Sequence, residues 1–203
     1  MQKLPINLAK KIEQRIQDNS FRDLGNTLKL TDFSSNDYLG FASSEGLFSK
    51  TYQILSEKKL HQNGATGSRL LSGNHELFKP AEALIAGFHQ TEAALIFNSG
   101  YDANIGFFSC VPQKEDLILY DELAHASIRD GIKMSNANAY KFLHNDLEDL
   151  QNKILRKRED FNAAAIYIVT ESVFSMDGDF PDLVALSNLA EEYNCYLIVD
   201  EAH

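Results

Sequence analysis

The second half of the chain alternates short apolar runs with amphipathic stretches. The apolar runs predict five strands, at 92–97, 116–121, 139–143, 164–170 and 195–201. One helix is predicted to begin at Gly100, and amphipathic stretches predict three more helices, at 125–135, 146–160 and 182–194. Near-continuous apolar strands separated by helices indicate an α/β fold, with a mainly parallel sheet and helices on both faces. In such a sheet the functional residues lie at the carboxyl ends of the strands.

The first half of the chain is less regular. Leu8, Ile12 and Ile16 form an apolar stripe that predicts a helix over 7–18. Residues 28–41 predict a short strand that continues as a loop, and 48–60 predict a helix. A glycine-rich loop is predicted at 63–76 and another helix at 76–90.

Composition and charge narrow the range of partners. The chain has 203 residues, a formal net charge of −10 and a pI near 5.0. This acidity disfavours a nucleic-acid partner, because phosphate binding needs a positive field. The N-terminal stretch lacks the apolar core of a signal peptide, and no apolar run approaches the length of a membrane span. We therefore expect a cytoplasmic protein with no membrane partner.

The two cysteines, Cys110 and Cys195, stand in apolar contexts. They predict buried, reduced thiols. No CxxC pair and no cysteine–histidine spacing is typical of a metal site, so none is predicted.

Polar residues follow the predicted strands at their carboxyl ends. Ser99 and Gly100 open a helix, whose free N–H groups can bind a phosphate. His125, Ser175, Asp200 and His203 follow later strands, so we expect all six side chains or N–H groups to converge on one rim. Two structural alternatives remain open, a small turn chosen for steric reasons and a histidine that only caps its helix.

The motif DEAH at 200–203 has two possible meanings. In nucleic-acid-dependent ATPases it accompanies a phosphate loop of the form GxxxxGK[ST], but the chain has no Gly-Lys pair. A pyridoxal 5′-phosphate (PLP) enzyme instead needs a phosphate site, an imidazole or aromatic face and a carboxylate beside the pyridine nitrogen. The turn at 99–101, His125 and Asp200 offer these groups, so the pattern favours the PLP enzyme.

Seven segments together resemble the α-oxoamine synthase family. In chain order they are DFSSNDYLGF, GATGSRLLSGNHELF, FNSGYDANIG, DELAHASIRDG, FLHNDLEDL, TESVFSMDGDFPDL and LIVDEAH. The resemblance implies the fold-type I PLP architecture, a homodimer with active sites at the subunit interface, and a condensation of an amino acid with an acyl thioester that releases CO₂. Two of the segments favour the alanine-using branch over members that use glycine or serine.

The resemblance also implies roles for individual residues. In the predicted cofactor site Ser99, Gly100 and Tyr101 bind the phosphate, His125 stacks on the ring, Ser175 and His203 lie near the 3-oxygen, and Asp200 pairs with the ring nitrogen. His125, Asp200 and His203 form the predicted catalytic set. The predicted substrate ligands are Arg22 for the acyl group and Asn36, with His125, for the amino acid.

In that family the lysine that binds PLP as a Schiff base follows the DEAH-type motif, and no lysine of this chain has that context. We therefore expect an N-terminal portion of a longer enzyme, inactive alone, with a helix-and-strand segment at 1–40, an incomplete PLP-binding large domain at 41–203 and no C-terminal domain. The alternative is a truncated, non-catalytic homologue that acts as a partner subunit.

Overall fold

A computed structural model of the protein describes residues 4–24, 30–160 and 165–203. The chain divides into two compact units, Met1–Ile54 and Leu55–His203. The domain boundary that the sequence predicts at residue 40 stays a prediction.

The first unit contains α1, Ile6–Gln17, a 3₁₀ turn at Phe41–Ser43 and the start of α2, Glu45–Glu57. Both predicted helices are therefore present. The strand predicted within 28–41 is absent from the part that the structure describes, which starts at residue 30. The Asp32 carboxylate accepts the Ser34 N–H at 2.9 Å, and the Asp37 carboxylate accepts the Phe41 N–H at 2.8 Å. These local bonds hold the backbone in turns, because side-chain acceptors compete with strand pairing.

The second unit carries the sheet. Its helices are α3 Phe78–His89, α4 Gly100–Cys110, α5 Ala126–Met134, α6 Leu147–Asp160 and α7 Leu183–Glu192. Its strands are β1 Leu117–Asp121, β2 Asn138–Phe142, β3 Ile166–Glu171 and β4 Tyr196–Asp200. All neighbouring strands are parallel, in the order β2-β1-β3-β4. The parallel sheet predicted from the sequence is confirmed.

Helices cover both faces of this sheet, as predicted. Leu117 and Leu119 point to one face, where they pack with residues of α6 and α7. Ile118 and Val169 point to the other, where they pack with residues of α4 and α5. Side chains alternate between the faces along each strand, so each strand contributes to two apolar cores.

The strand predicted at 92–97 is wrong. The Ile96 N–H donates to the Glu82 carboxylate at 2.9 Å instead of to a neighbouring strand. Glu82 also pairs with the Arg69 guanidinium at 2.6 Å. An apolar run becomes a strand only where another strand offers a ladder of hydrogen bonds, and no strand pairs with this segment among the described residues.

One of the two cysteines also departs from the prediction. Cys195 is half-buried, and burial raises the pKa of its thiol. Cys110 is exposed, because it is the last residue of α4. Both thiols are free.

Close contact between α4 and α5 depends on Gly131. A Cβ atom built there would lie 2.8 Å from the carbonyl oxygen of Asn104 and 3.0 Å from the Cβ of Phe108. The backbone oxygen cannot move aside without shifting α4. Gly131→Ala is therefore expected to lower the free energy of unfolding by about 1–3 kcal/mol, the usual cost of overpacking. Denaturant titration measures this loss.

The matched control is Gly87→Ala in α3, where an added Cβ meets no atom within 4 Å. This change is expected to be neutral or to stabilise by up to about 1 kcal/mol, because alanine has the higher helix propensity. Equal effects of the two substitutions would show that the α4–α5 contact is not tight.

Candidate active site

Polar side chains leave the sheet at the carboxyl ends of β3 and β4. Glu171 and Asp200 are paired in the register of these strands. Each is two residues beyond an apolar residue of the α4–α5 face, Val169 and Ile198, so both carboxylates point to that face. The start of α4 and the start of α5 supply the remaining groups.

The Asp200 carboxylate is held from two sides. Its Oδ2 accepts a hydrogen bond from the Asn104 amide at 2.7 Å, and its Oδ1 accepts from the Ala202 N–H at 3.0 Å. Its backbone oxygen accepts from the Ser172 N–H at 2.8 Å. Each carboxylate oxygen keeps a second lone pair for another donor. The carboxylate is therefore fixed in place and can still bind a further N–H group.

His125 precedes α5 and caps it. Its Nδ1 accepts from the Ser127 N–H at 3.2 Å and lies 2.7 Å from the Ser127 hydroxyl. Its backbone N–H donates to the Glu171 carboxylate. The imidazole is exposed, although the capping serine beside it is buried. The ring thus has a fixed orientation and an accessible face.

Glu171 lies among the predicted catalytic residues. It is only 5% exposed, and this burial raises the pKa of its carboxyl. The hydrogen bond from His125 lowers the pKa, the negative charge of Asp200 raises it, and the charges of His125 and His203 lower it. These interactions bring His125, Asp200 and His203 together around one buried carboxyl group.

The N-terminus of α4 offers free N–H groups. Ser99 caps the helix, since its Oγ accepts the Asp102 N–H at 3.1 Å. Among the described residues the N–H groups of Gly100 and Tyr101 have no acceptor. They lie at the positive end of the helix dipole, which favours an anion. The Tyr101 hydroxyl donates to Asp130 at 2.9 Å, and this bond raises the pKa of the tyrosine.

Three further predicted site residues, Ser175, Arg22 and Asn36, are exposed. Ser175 is in an exposed turn, and no hydrogen bond of the described residues joins it to Asp200 or His203. Arg22 and Asn36 belong to the first unit, where both are exposed. The roles of these three residues stay predictions.

Three residues that contact this cluster were not predicted from the sequence. Asn104, Ser127 and Ser172 had no assigned role, although they contact Asp200 or His125. One signal was available, because Asn104 follows Gly100 by four residues and so lies on the same side of the helix. The Ser172 hydroxyl bonds the backbone oxygens of Asp200 and His203 at 3.3 Å and 3.1 Å.

A second polar cluster occupies the opposite face at the same edge. Asp121 ends β1 and is fully buried. The His144 ring lies between two carboxylates, with Nδ1 2.9 Å from Asp121 and Nε2 2.8 Å from Asp179. Its ring packs edge-on against Phe174, with centroids 4.5 Å apart. The cluster ties the segment after β3 to the end of β1.

A parallel sheet with a helix N-terminus and a fixed carboxylate at its carboxyl edge defines an α/β enzyme domain suited to a phosphorylated cofactor. The chain belongs to the aminotransferase class I and II family, whose model matches residues 29–203.

Individual relatives agree with this family. A protein from Trichodesmium erythraeum, named "Putative 8-amino-7-oxononanoate synthase", is 48% identical over 86% of this chain and 43% of its own length. One of the same name from Methanococcus vannielii is 40% identical, over 97% of this chain and 51% of its own length. The chain thus spans about half the length of the curated relatives it matches.

Solved structures show the same fold. A serine palmitoyltransferase variant from S. paucimobilis, with a bound PLP–myriocin aldimine, superposes with a TM-score of 0.82 at 25% identity, over 98% of this chain and 52% of that one. An 8-amino-7-oxononanoate synthase from Francisella tularensis gives 0.65 at 29% identity, over 86% and 46%. The predicted fold-type I architecture and the resemblance to α-oxoamine synthases are confirmed.

Membrane spans were also sought among the described residues. None of their helices combines the length and the apolar character that a membrane span requires.

Proposed function

We propose that the whole protein is a PLP-dependent α-oxoamine synthase that condenses L-alanine with a pimeloyl thioester. The products would be 8-amino-7-oxononanoate, which is a precursor in biotin biosynthesis, CO₂ and the free thiol of the acyl carrier. The observation that carries this proposal is the Asp200 carboxylate, which Asn104 and Ala202 hold at the end of β4. The names of relatives that are 40–48% identical support the choice of substrates.

The described residues fit PLP. The free N–H groups of Gly100 and Tyr101, at the capped start of α4, suit a phosphate. Asp200 keeps lone pairs for an N–H donor, and the His125 ring is accessible. PLP is the cofactor predicted from the sequence, and both the family and the PLP-bound neighbour support it. When bound, it supplies an electron sink for the carbanion of the amino acid.

The residues of this chain would do the following. Asp200 holds a proton on the ring nitrogen through a charge-assisted bond. His125 orients the ring by stacking, while Ser99, Gly100 and Tyr101 bind the phosphate. His203 and Ser175 are assigned to the 3-oxygen, Asn36 to the amino acid and Arg22 to the acyl group, all by resemblance.

A second candidate is a serine-using member of the same family. The serine palmitoyltransferase superposes over more of this chain than the F. tularensis enzyme does, 98% against 86%. We rank it second because its identity is only 25%, whereas the T. erythraeum relative reaches 48%. The third candidate is a non-catalytic partner subunit, and no contact among the described residues favours it.

The test is an assay of the purified full-length protein with PLP. Alanine, serine and glycine are each paired with pimeloyl-CoA, palmitoyl-CoA and acetyl-CoA, and the ketone product is identified by mass spectrometry. We expect product from L-alanine and pimeloyl-CoA. Product only from serine and palmitoyl-CoA would replace the first candidate by the second.

Two further readouts complete the design. Pimeloyl-carrier protein in place of pimeloyl-CoA identifies the acyl donor. Light scattering tests the proposed homodimer. A protein that neither binds PLP nor forms any of the products would refute the enzyme and favour the partner subunit.

A further inference from the structure

A chain of hydrogen bonds joins the Asp200 carboxylate to the His125 ring. The Asn104 amide nitrogen lies 2.7 Å from Asp200 Oδ2 and 3.0 Å from the Ser127 hydroxyl. That hydroxyl lies 2.7 Å from His125 Nδ1. Asn104 and Ser127, which have no assigned contact with the cofactor, therefore connect Asp200 and His125, which have one.

Each bond in this chain has a fixed direction. A carboxylate can only accept, so Asn104 must turn its NH₂ group towards Asp200. The second hydrogen of the same NH₂ group then donates to Ser127 Oγ. The Ser127 backbone N–H donates to His125 Nδ1, so that nitrogen carries no hydrogen in the neutral ring. The Ser127 hydroxyl, 2.7 Å from the same nitrogen, therefore also donates to it.

Burial makes this arrangement hard to rearrange. Ser127 is 1% exposed, so water does not compete for its hydroxyl. The spacing between Asn104 and the start of α5 is fixed by the tight backbone contact at Gly131. Glu171 holds the His125 backbone N–H, so the histidine is anchored at both its backbone and its ring.

We propose that Asn104 and Ser127 are positioning residues that couple Asp200 to His125, with the hydroxyl and backbone N–H of Ser127 holding the ring in the tautomer whose proton is on Nε2. The importance of this relay for catalysis rests on the proposed function. The tautomer itself does not, because it follows from the protein's own hydrogen bonds.

The direct test is ¹⁵N NMR of the full-length protein labelled at histidine, without cofactor. We expect a pyridine-like Nδ1 and a pyrrole-like Nε2 for His125, assigned by comparison with His125→Gln. A pyrrole-like Nδ1 would overturn the proposal. This measurement needs no relay variant to fold.

Asn104→Asp tests the dependence on the relay. It replaces the amide donor facing Ser127 by an acceptor, so the hydroxyl should turn to residue 104 and leave Nδ1. His125 Nδ1 then keeps only the Ser127 backbone N–H as a donor, so its ¹⁵N resonance should move downfield, towards that of an unbonded pyridine-like nitrogen. PLP affinity should fall by at least about tenfold, because Asp200 loses its donor. PLP titration by absorbance measures the affinity.

Two other variants separate the effect of the Ser127 hydroxyl and the effect of added charge from that of the Asn104–Asp200 bond. Ser127→Ala removes the hydroxyl but leaves the Asn104–Asp200 bond, so the Nδ1 resonance should shift while PLP affinity stays within about threefold. Asn138→Asp makes the same charge change at the exposed start of β2 and should alter neither readout.

The outcomes distinguish the two proposals. An unchanged His125 Nδ1 resonance together with unchanged PLP affinity in Asn104→Asp would overturn the relay. A protein with the expected tautomer that does not bind PLP would keep the relay and refute the proposed function.

Discussion

Asp200→Asn in the full-length protein is expected to lower kcat about 10²–10³-fold, the range measured when one preorganised electrostatic group of an active site is removed. Asparagine keeps the shape of the side chain but not its charge. The carboxylate now accepts from both Asn104 and Ala202. An asparagine can accept only through its single oxygen, so one donor would face an NH₂ group.

The loss should appear in kcat more than in KM, because the negative charge of Asp200 would stabilise the transition state more than the bound substrates. Steady-state kinetics with L-alanine and pimeloyl-CoA measure the two constants. The absorbance of bound PLP, followed against pH, reports the protonation of the cofactor independently of turnover. Its titration should move to lower pH in the variant, since the carboxylate no longer stabilises the protonated ring.

Asp182→Asn provides the matched control. Asp182 caps α7 through a 2.9 Å bond from the Ala185 N–H, and asparagine caps helices equally well. This variant should retain the kcat of the wild type. If Asp200→Asn also kept kcat within about threefold of the wild type, Asp200 would not be the partner of the ring nitrogen.

The pattern of apolar residues predicted all four strands of the sheet and one strand that is absent. The runs at 116–121, 139–143, 164–170 and 195–201 became β1 to β4 because each is paired with another strand in a two-sided core. The run at 92–97 has the same apolar character but bonds Glu82 through Ile96. Composition could not distinguish these cases, because strand formation depends on a partner elsewhere in the chain.

The sequence also predicted only those site residues that lie at the ends of strands. Asp200 and His125 follow strands, so the rule for carboxyl ends found them. Asn104 and Ser127 lie inside helices, and their contact with the site depends on how closely α4 and α5 pack at Gly131. No periodicity encodes that distance.

The His144 cluster shows how one edge of the sheet can carry two separate clusters of polar residues, one on each face. Asp121 follows Leu119 on the α6–α7 face, whereas Glu171 and Asp200 lie on the α4–α5 face. Alternation along the strands therefore separates the structural carboxylate from those of the site. The cluster is tied to Phe174, directly before Ser175, so it fixes the base of the turn that carries this predicted ligand.

His144 should make the stability of the protein depend on pH. Burial lowers the pKa of its ring, but the hydrogen bonds and charges of Asp121 and Asp179 outweigh burial and raise it above the ordinary value of 6.5. Because the folded pKa exceeds the unfolded one, the stabilisation is fully present below about pH 6.5 and is lost as the pH rises through the folded pKa. Both ring nitrogens face carboxylate oxygens, which only accept, so the charged ring fits this site best.

Asp121→Ala is expected to lower the free energy of unfolding by about 3–5 kcal/mol at pH 6, the usual cost of removing one partner from a buried ion pair. It also leaves the N–H groups of Leu123 and Asn145 without the carboxylate that accepts them at 2.8 Å and 3.0 Å. Denaturant titration of the full-length protein at a series of pH values measures the loss. The gap in unfolding free energy between wild type and variant should narrow as the pH rises, because the wild type loses the charge of His144, which Asp121 stabilises only in the wild type.

Glu115→Ala is the control for this prediction. Glu115 lies exposed just before β1, and its side chain makes no hydrogen bond or ion pair with the residues that the structure describes. Surface substitutions of this kind change stability by less than about 0.5 kcal/mol, so the control should remain close to the wild type at every pH. The decisive observation is the pH dependence. A gap between wild type and Asp121→Ala that stays constant from pH 6 to pH 9 would mean that Asp121 stabilises the fold only by accepting the backbone N–H groups of Leu123 and Asn145, and that His144 carries no charge between the two carboxylates.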